Sequence, residues 1–453
     1  PDISARWDNT LKYSAGFRVK DRDDELVADR NLDDGNRNFD KGLISNRLDL
    51  LSEFDLRYKN YGARLSGAAW YDTVYNESND NDSPETANAF SVPHDRFTDE
   101  TREVHGRDAE LLDAYVFGRF DLDGRLATLR VGKHTVLYGE SLFFGANGVA
   151  GAQAPVDIVK AVSVPGSQVK EILRPVNQIT LQMQLTPNLS FGAYYQLEWE
   201  KNRLPGVGSY FSGMDIAGPG AERLLFADGD AAYFLHTGDR EASDSGQGGV
   251  QFRFRPSGGD IEYGLYALNY HSKMPWVIPN PGEGADPSTG QIGTYHFVYP
   301  EDIRLYGLSF STSVGDANVA GEFSLRDDAP LAAPAFVPTG KTAHAQISTI
   351  MAFGRTGLWD TSSLAAEIAW NRLLSVDDNE FASALDPRAT RDSWGMRVLF
   401  EPTWFQVMPA VDISAPINIG YSGEGRSAAA PVGVHEGGDV TIGLSGDHAH
   451  KDR

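Results

Sequence analysis

Basic and acidic side chains recur at alternate positions along several segments of the first third of the chain. The basic residues are Arg47, Arg57, Arg64, Arg119, Arg130 and Lys133, and the acidic residues are Asp49, Glu53, Asp55, Asp72 and Asp113. Because residues two apart on a β-strand point to the same face, these charges would line one surface of a sheet. A surface of mixed sign can select charged solutes through its field. The same charges could instead pair with one another and stabilise the wall, and the sequence leaves both interpretations open.

Motifs that would indicate catalysis are missing from the sequence. It contains no Gly-x-Ser-x-Gly nucleophile elbow, no His-Glu-x-x-His pair and no P-loop. It also contains no cysteine, which excludes zinc ribbons, iron–sulfur sites and thiol nucleophiles. The run Asn79-Asp80-Asn81-Asp82 brings oxygen ligands together but lacks the glycine and the distal glutamate of a calcium loop. We therefore expect neither an enzyme nor a resident cofactor or metal.

The segments that carry the alternating charges place apolar residues at the intervening positions. This alternation is clearest over residues 3–20, and it continues too long for a helix. A tilted strand of about 10 residues spans the hydrocarbon layer of a membrane. About sixteen such segments follow one another, joined alternately by tight turns and long loops, which is typical of an outer-membrane barrel. We predict an all-β fold: a transmembrane antiparallel β-barrel of 16 to 18 strands, forming a single domain over residues 1–453.

This fold implies an environment and a set of neighbours. We expect the chain to reside in the bacterial outer membrane, in contact with lipid and lipopolysaccharide. The sequence begins at Pro1 without an apolar signal region, as a processed precursor would. It ends without the aromatic-terminated strand with which such barrels usually close. Either the wall has one further hairpin that this sequence lacks, which we favour, or the strand count is inaccurate. The net charge of -23 argues against a nucleic-acid partner, which would require clustered lysine and arginine.

The stretch 139–176 interrupts the alternating pattern and differs in composition from the acidic loops before it. It contains many apolar residues, among them Phe143 and Phe144. Its charged residues, whose charges sum to zero, are Glu140, Asp157, Lys160, Lys170, Glu171 and Arg174. Apolar residues in this number would be poorly placed in water, whereas the lumen of a large barrel can accept a folded loop. We predict that this stretch folds inward and constricts the lumen, with a short helix over residues 157–164. The alternative is a lid packed on the rim.

Two later loops are also unusually apolar for exposed segments. The clearest members are Tyr210, Phe211 and Phe226 in one loop and Trp276 in the next. Exposed apolar surface normally marks a binding site or a packed contact. We predict a vestibule for a hydrophobic compound or lipid, and the alternative is that these loops pack on one another and cap the barrel.

Several motifs resemble a known family. They are Arg130-Val131-Gly132-Lys133, Tyr138-Gly139-Glu140-Ser141, and Tyr195-Gln196-Leu197-Glu198-Trp199-Glu200. The chain resembles the proteobacterial outer-membrane proteins catalogued as domain of unknown function 1302. The resemblance implies an outer-membrane location, association with an RND-type lipid exporter and transport of hydrophobic compounds. It implies no catalytic residues.

These observations lead to two functional hypotheses. The first is a porin-like channel that passes a small hydrophobic or amphipathic compound or a lipid. The second is a docking or receptor component of an RND-type lipid export system, with a periplasmic or RND-transporter partner. The two differ in whether the stretch 139–176 narrows the lumen or closes it.

Overall fold

The computed structural model describes residues 2–164, 167, 169–226, 231–430, 432 and 435–448. The strands are β1 (Ile3–Arg18), β2 (Gly42–Tyr58), β3 (Tyr61–Asp72), β4 (Arg107–Leu122), β5 (Arg125–His134), β6 (Val176–Thr186), β7 (Leu189–Gln196), β8 (Arg223–Leu225), β9 (Tyr233–His236), β10 (Gly248–Phe254), β11 (Glu262–Tyr270), β12 (Trp276–Asp286), β13 (Gln291–Val298), β14 (Ile303–Val314), β15 (Ala317–Pro330), β16 (Thr339–Phe353), β17 (Thr361–Val376), β18 (Asp392–Met408), β19 (Val411–Ser414), β20 (Ile417–Ser422), β21 (Gly437–Ile442) and β22 (Ser445–His448). The short α-helices are α1 (Asp34–Arg37), α2 (Asp99–Thr101), α3 (Ile158–Ser163) and α4 (Val169–Ile172). Single turns of other helix types cover Val74–Asn76, Arg102–Gly106, Val149–Ala152 and Ala382–Ala384.

Eighteen of the strands form one antiparallel sheet. They occupy sixteen positions in the wall, because β19 and β20 share the position beside β18, and β21 and β22 share the next one. This agrees with the predicted range of strand number. Within the described residues, the ladders run without interruption from β1 to β21 and β22, and none of them joins β1 to those last strands.

The two faces of the sheet differ as the alternation predicts. In the register of β1, β2 and β3, Trp7 pairs with Phe54 and Phe54 with Leu65, and these side chains are 70%, 39% and 52% exposed. On the other face, Glu53 and Arg47 are 8% and 3% exposed. An apolar outer face and a charged inner face are what a barrel wall requires in lipid. The chain is therefore an outer-membrane β-barrel protein. No helix within the described ranges is long and apolar enough to cross a membrane.

Short and long connections alternate along the wall. The short ones are 59–60, 123–124, 187–188, 255–261, 315–316, 354–360 and 409–410, and the long ones are 19–41, 73–106, 135–175, 197–247, 271–302, 331–338, 377–391 and 423–436. Asp123 and Gly124 have φ angles of 56° and 75°, as a two-residue hairpin turn of type I′ needs. The turn after β18 covers only residues 409–410, because β18 continues through Pro402 to Met408.

The long connections fold against one another at one end of the barrel. Strands β8, β9, β12 and β13 form a second sheet of four strands there. Residues of β9 and β13 take part in a buried aromatic cluster, which consists of Trp199, Phe234, Tyr295, Phe297 and Tyr299. The loop end of the molecule is therefore a packed layer rather than a set of separate solvated loops.

Candidate functional site

The connection 135–175 crosses the interior of the curved sheet. Near its end, Lys170 Nζ lies 2.6 Å from Glu53 Oε2 on β2. Near its start, it bonds to Glu322 in the middle of β15 and to Glu367 in the middle of β17. One connection reaches strands near both ends of the sheet, so the sheet curls around it. These contacts are the kind that the predicted inward fold requires. The predicted short helix is present and spans Ile158–Ser163.

Two wall glutamates bind the backbone of the inward stretch. Glu367 accepts the N–H groups of Leu142, Phe143 and Phe144 at 3.1, 2.6 and 2.8 Å. Backbone amides that converge on a carboxylate make charge-assisted hydrogen bonds, which are stronger than neutral ones. These contacts fix the backbone of residues 142–144 against β17.

Glu322 binds the residues on either side of that segment. It accepts the N–H groups of Glu140 and Val149 at 2.7 and 2.9 Å, and the hydroxyl of Ser141 at 3.0 Å. Val149 is fully buried in the cluster that also contains Leu305 of β14. Glu322 and Glu367 together bind the backbone segment 140–149, here called the arc, at the middle of the wall.

The carbonyl groups of the same arc are bound as well. Arg326 on β15 donates to the carbonyl oxygens of Ala146, Asn147 and Gly148 at 2.8, 2.9 and 3.0 Å. The amide side chain of Asn147 contacts His344 at 3.0 Å and donates to Gln346 at 3.2 Å, both on β16. The arc therefore satisfies its donors and acceptors against three adjacent strands.

A charge cluster fixes the other side of the stretch. Glu110 on β4 lies 3.0 Å from Lys160 and 2.6 Å from Arg203, and Arg203 lies 2.8 Å from Asp157. The ring of Trp70 is contacted by Lys160 at 5.4 Å and by Arg203 at 5.3 Å, within the range of a cation–π interaction. Asp157 also caps α3 by accepting the N–H of Lys160 at 2.9 Å.

A second charge cluster lies deeper along β2, β3 and β4. Arg64 pairs with Glu53, with Asp55 at 2.8 Å and with Asp113 at 3.1 Å. On the neighbouring strand β1, Lys12 lies 3.1 Å from Glu171. These lumen charges are paired, as the second interpretation of the alternating charges requires.

The remaining predicted lumen residues occupy several places. Arg47 is buried and pairs with Asp49 at 2.8 Å. Arg130 faces the interior, 4.8 Å from the ring of Tyr115. Arg174 lies away from the wall clusters and pairs with Glu200 at 3.3 Å in the connection that follows β7.

Glu140 and three of the wall cations lie outside the two charge clusters. Glu140 pairs with Arg253 on β10 at 2.7 Å. Arg57 and Arg119 lie on the inner face near the short turns, in register with Gly62 and Thr128. The prediction that Lys133 faces the lumen is wrong. Lys133 lies on the outer face, in register with Ala114 and Asn177. Residues three apart on a strand point to opposite faces, so Arg130 and Lys133 cannot both face the lumen.

His105 closes the top of the first charge cluster. Its Nε2 accepts the N–H of Gly206 at 3.1 Å, and its ring stacks on Tyr75 with centroids 4.8 Å apart. Burial, together with the nearby charges of Arg47 and Arg203, lowers the pKa of His105 to about 3. His105 is therefore neutral and serves as a hydrogen-bond acceptor.

The four predicted vestibule residues lie at separate places on the loop end. Tyr210 packs edge-on against Phe39 at 5.5 Å, and its neighbour Phe211 is 47% exposed. Phe226 is 61% exposed, and Trp276 donates through Nε1 to the Leu331 carbonyl at 3.3 Å. Among the described ring contacts, none joins Tyr210 or Phe211 to Phe226 or Trp276. Much of the apolar loop surface is used for packing between loops.

The residues that the sequence analysis missed are Glu110, Arg203, Glu322, Arg326 and Glu367. Glu322 is the one charged residue of the segment 317–325, and Glu367 is the one charged residue of the segment 361–371. That isolation was a usable signal, since a lone charge on the inner face of a strand needs a partner elsewhere. Their partners are backbone amides, which no charge pattern can reveal.

Comparison with solved structures finds low similarity over nearly the whole chain. The outer membrane channel DcaP of Acinetobacter baumannii is 10% identical, with a TM-score of 0.42, over 97% of this chain and 97% of that one. OmpT, an outer membrane protein of Vibrio cholerae, is 10% identical, with a TM-score of 0.40, over 98% and 96%. OprB of Pseudomonas putida is 11% identical, with a TM-score of 0.39, over 98% and 93%. Similarity at this level does not indicate what the chain binds.

Comparison with curated proteins gives no match. The sequence profile of the family described as a protein of unknown function (DUF1302) matches residues 1–451. This confirms the resemblance carried by the motifs around Arg130 and Tyr195, and the chain belongs to the DUF1302 family.

Proposed function

We propose that this protein is a porin-like channel of the outer membrane in which the inward stretch 139–176 forms the constriction. The observation that carries the proposal is the attachment of this stretch to opposite parts of the wall, through Glu322 and Glu367 on one side and Glu53 and Glu110 on the other. A loop held at the middle of a barrel narrows the route through it.

The space left between the stretch and the near wall is small. A cavity lined by Lys12, Leu51, Leu112, Lys160 and Glu171 has a volume of about 20 Å³, which is room for one water molecule. This cavity is too small to pass a solute. The charged clusters around Arg64 and Glu110 set the local field that such a solute meets.

We further propose that the solute is a small hydrophobic or amphipathic compound or a lipid. Support comes from the exposed rings of Phe211 and Phe226 at the loop end, where a solute from outside would arrive. The outward apolar belt that includes Trp7 and Leu65 contacts outer-membrane lipid, and the loop layer above it contacts lipopolysaccharide.

The channel proposal is tested by deleting residues 142–164 and measuring single-channel conductance in planar bilayers. Deletion of residues 379–387, in the connection between β17 and β18, is the matched control because that segment makes none of the described contacts with the stretch. We expect the first deletion to raise conductance and the second to leave it unchanged. Heat-dependent migration on denaturing gels checks that each variant has folded. Equal conductance of the folded 142–164 deletion and the full chain would contradict the proposal.

The family resemblance also suggests a periplasmic or RND-transporter partner, and we propose this association as a second hypothesis. Purification from native membranes in mild detergent provides the test. A stoichiometric partner combined with no conductance would favour a docking role, whereas conductance of the isolated chain without a partner would favour the channel.

A further inference from the structure

Three aspartates from two distant loops meet inside the loop layer. Asp33 and Asp34 lie at the start of α1 in the connection 19–41, and Asp215 lies in the connection 197–247. One carboxylate oxygen from each of the three residues can be chosen so that all lie within 4.8 Å of one another. All three side chains are buried, with exposures of 0%, 2% and 0%.

The hydrogen bonds of this cluster leave some oxygens without partners. Asp34 accepts from Asn81 at 3.2 Å, from Asn88 at 3.1 Å and from Thr86. Asp33 Oδ2 accepts from Arg37, and Asp215 Oδ2 accepts the N–H of Asp34 at 3.0 Å. Across the part of the chain that the structure describes, the Oδ1 atoms of Asp33 and Asp215 have no hydrogen-bond partner.

A further buried oxygen without a partner belongs to a residue that packs against α1. The hydroxyl of Ser209 is fully buried and has no hydrogen-bond partner within the described residues. Ser209 packs directly against α1, since a Cβ placed on Gly35 would lie 2.8 Å from the Ser209 carbonyl oxygen. Buried polar oxygens without hydrogen-bond partners, such as these two carboxylate oxygens and this hydroxyl, are costly unless another group satisfies them.

The cationic side chains near the cluster are too few to neutralise its three carboxylates. Arg37 pairs with Asp33 at 2.6 Å but also with the exposed Asp82 at 3.0 Å. Arg30, the other nearby cation, pairs with Glu85. Among the residues that the structure describes, no cationic side chain pairs with Asp34 or Asp215. Buried carboxylates without enough cationic partners must take up either protons or a cation.

We propose that Asp33, Asp34 and Asp215 bind a hard divalent cation of the Ca²⁺ class. Carboxylate and hydroxyl oxygens are the ligands that such ions prefer, and Ca²⁺ tolerates an irregular arrangement of them. The ion would take the two unpartnered Oδ1 atoms and complete the coordination with Asp34. Asn81, from the run that the sequence analysis considered as a calcium loop, lies in the surrounding layer, where it donates to Asp34.

The consequence is a cross-link between three long loops. Asp33 and Asp34 come from the first loop and Asp215 from the fourth, while Asn81, Thr86 and Asn88 attach the second loop to the same carboxylate. An ion there would hold this part of the loop layer over the barrel mouth. This inference does not depend on the channel proposal, because it concerns the loop layer alone.

The test uses the full chain refolded into defined detergent without lipopolysaccharide, which itself carries divalent ions. Equilibrium dialysis with ⁴⁵Ca²⁺ measures binding, and Tm is measured in CaCl₂ and in chelator. We expect one saturable equivalent of Ca²⁺, and a Tm that rises with the logarithm of the Ca²⁺ concentration above the Kd. Asp215→Asn and Asp33→Asn should each abolish both effects. Asp24→Asn, which removes an exposed acid from the first loop, should keep both.

Three results would overturn the proposal. The first is an absence of Ca²⁺ binding by the unmutated chain at millimolar concentration, which needs no variant to interpret. The second is unchanged Ca²⁺ binding in folded Asp215→Asn and Asp33→Asn, which would place the ion elsewhere. The third is a higher Tm for Asp215→Asn than for the unmutated chain in both buffers, which would identify a protonated carboxyl network.

Discussion

Glu367 on β17 accepts the backbone N–H of Phe143 at 2.6 Å, although Phe143 stands 224 residues earlier in the chain. Neither Phe143 nor its neighbour Phe144 contributes a side-chain donor to this contact. The wall therefore binds the backbone rather than the side chains of this segment. The position of the stretch 139–176 depends on a carboxylate that is distant from it in sequence.

Replacing Glu367 should loosen the constriction. Glu367→Ala removes the acceptor of three N–H groups, and a hydrogen bond to a charged group contributes roughly 1.5 to 3 kcal/mol. We expect higher single-channel conductance and larger current fluctuations. Glu367→Gln keeps one acceptor oxygen and should give a smaller change. Glu401→Gln removes a lumen carboxylate of β18 that makes none of the described contacts with the stretch, and it should leave the fluctuations unchanged. Identical traces for Glu367→Ala and the unmutated chain would contradict the attachment.

Removing the charge of Glu110 should change ion selectivity. Glu110 neutralises Lys160 and Arg203, so Glu110→Gln leaves two lumen cations with less negative charge beside them. We expect the reversal potential in a KCl gradient to shift toward anion preference. Loss of one member of a buried charge cluster costs roughly 3 to 5 kcal/mol, so Tm should also fall. Glu77→Gln, in an exposed part of a loop, removes the same charge and serves as the control. A reversal potential that moves equally in both variants would show that Glu110 does not face the ion route.

His105 should make the loop layer sensitive to acid. The folded chain holds the pKa of His105 near 3 by burial, whereas an unfolded histidine takes up its proton near pH 6.5. Between these values the unfolded chain binds more protons, so stability falls as pH decreases from about 6.5 toward 3. One such group contributes a slope of at most about 1.4 kcal/mol per pH unit.

The variant His105→Gln checks this dependence, because its amide oxygen can still accept from Gly206. We expect Tm to decrease less steeply between pH 6.5 and pH 4 than in the unmutated chain. His435→Gln, at an exposed position of the last long loop, should keep the original slope. A slope that His105→Gln leaves unaltered would mean that other groups account for the acid sensitivity.

The sequence by itself determined the wall. Side chains alternate between the two faces of a strand for a purely local reason, so the segment 3–20 and its successors reveal strands, faces and connections without any knowledge of their neighbours. The same local rule should have separated Arg130 from Lys133. The neutral, apolar composition of residues 139–176 also led to the prediction of an inward fold, because burial preference depends on residue type.

Only the tertiary structure decided which groups meet. The contacts of Glu367 with Phe143 and of Glu322 with Val149 depend on how far the sheet curls, which is a property of all the strands together. The same holds for Asp33, Asp34 and Asp215, whose loops come together only when the layer packs. Alternation fixes the direction of a side chain relative to its own strand. The distance across a lumen or between loops is set by the curvature of the whole sheet.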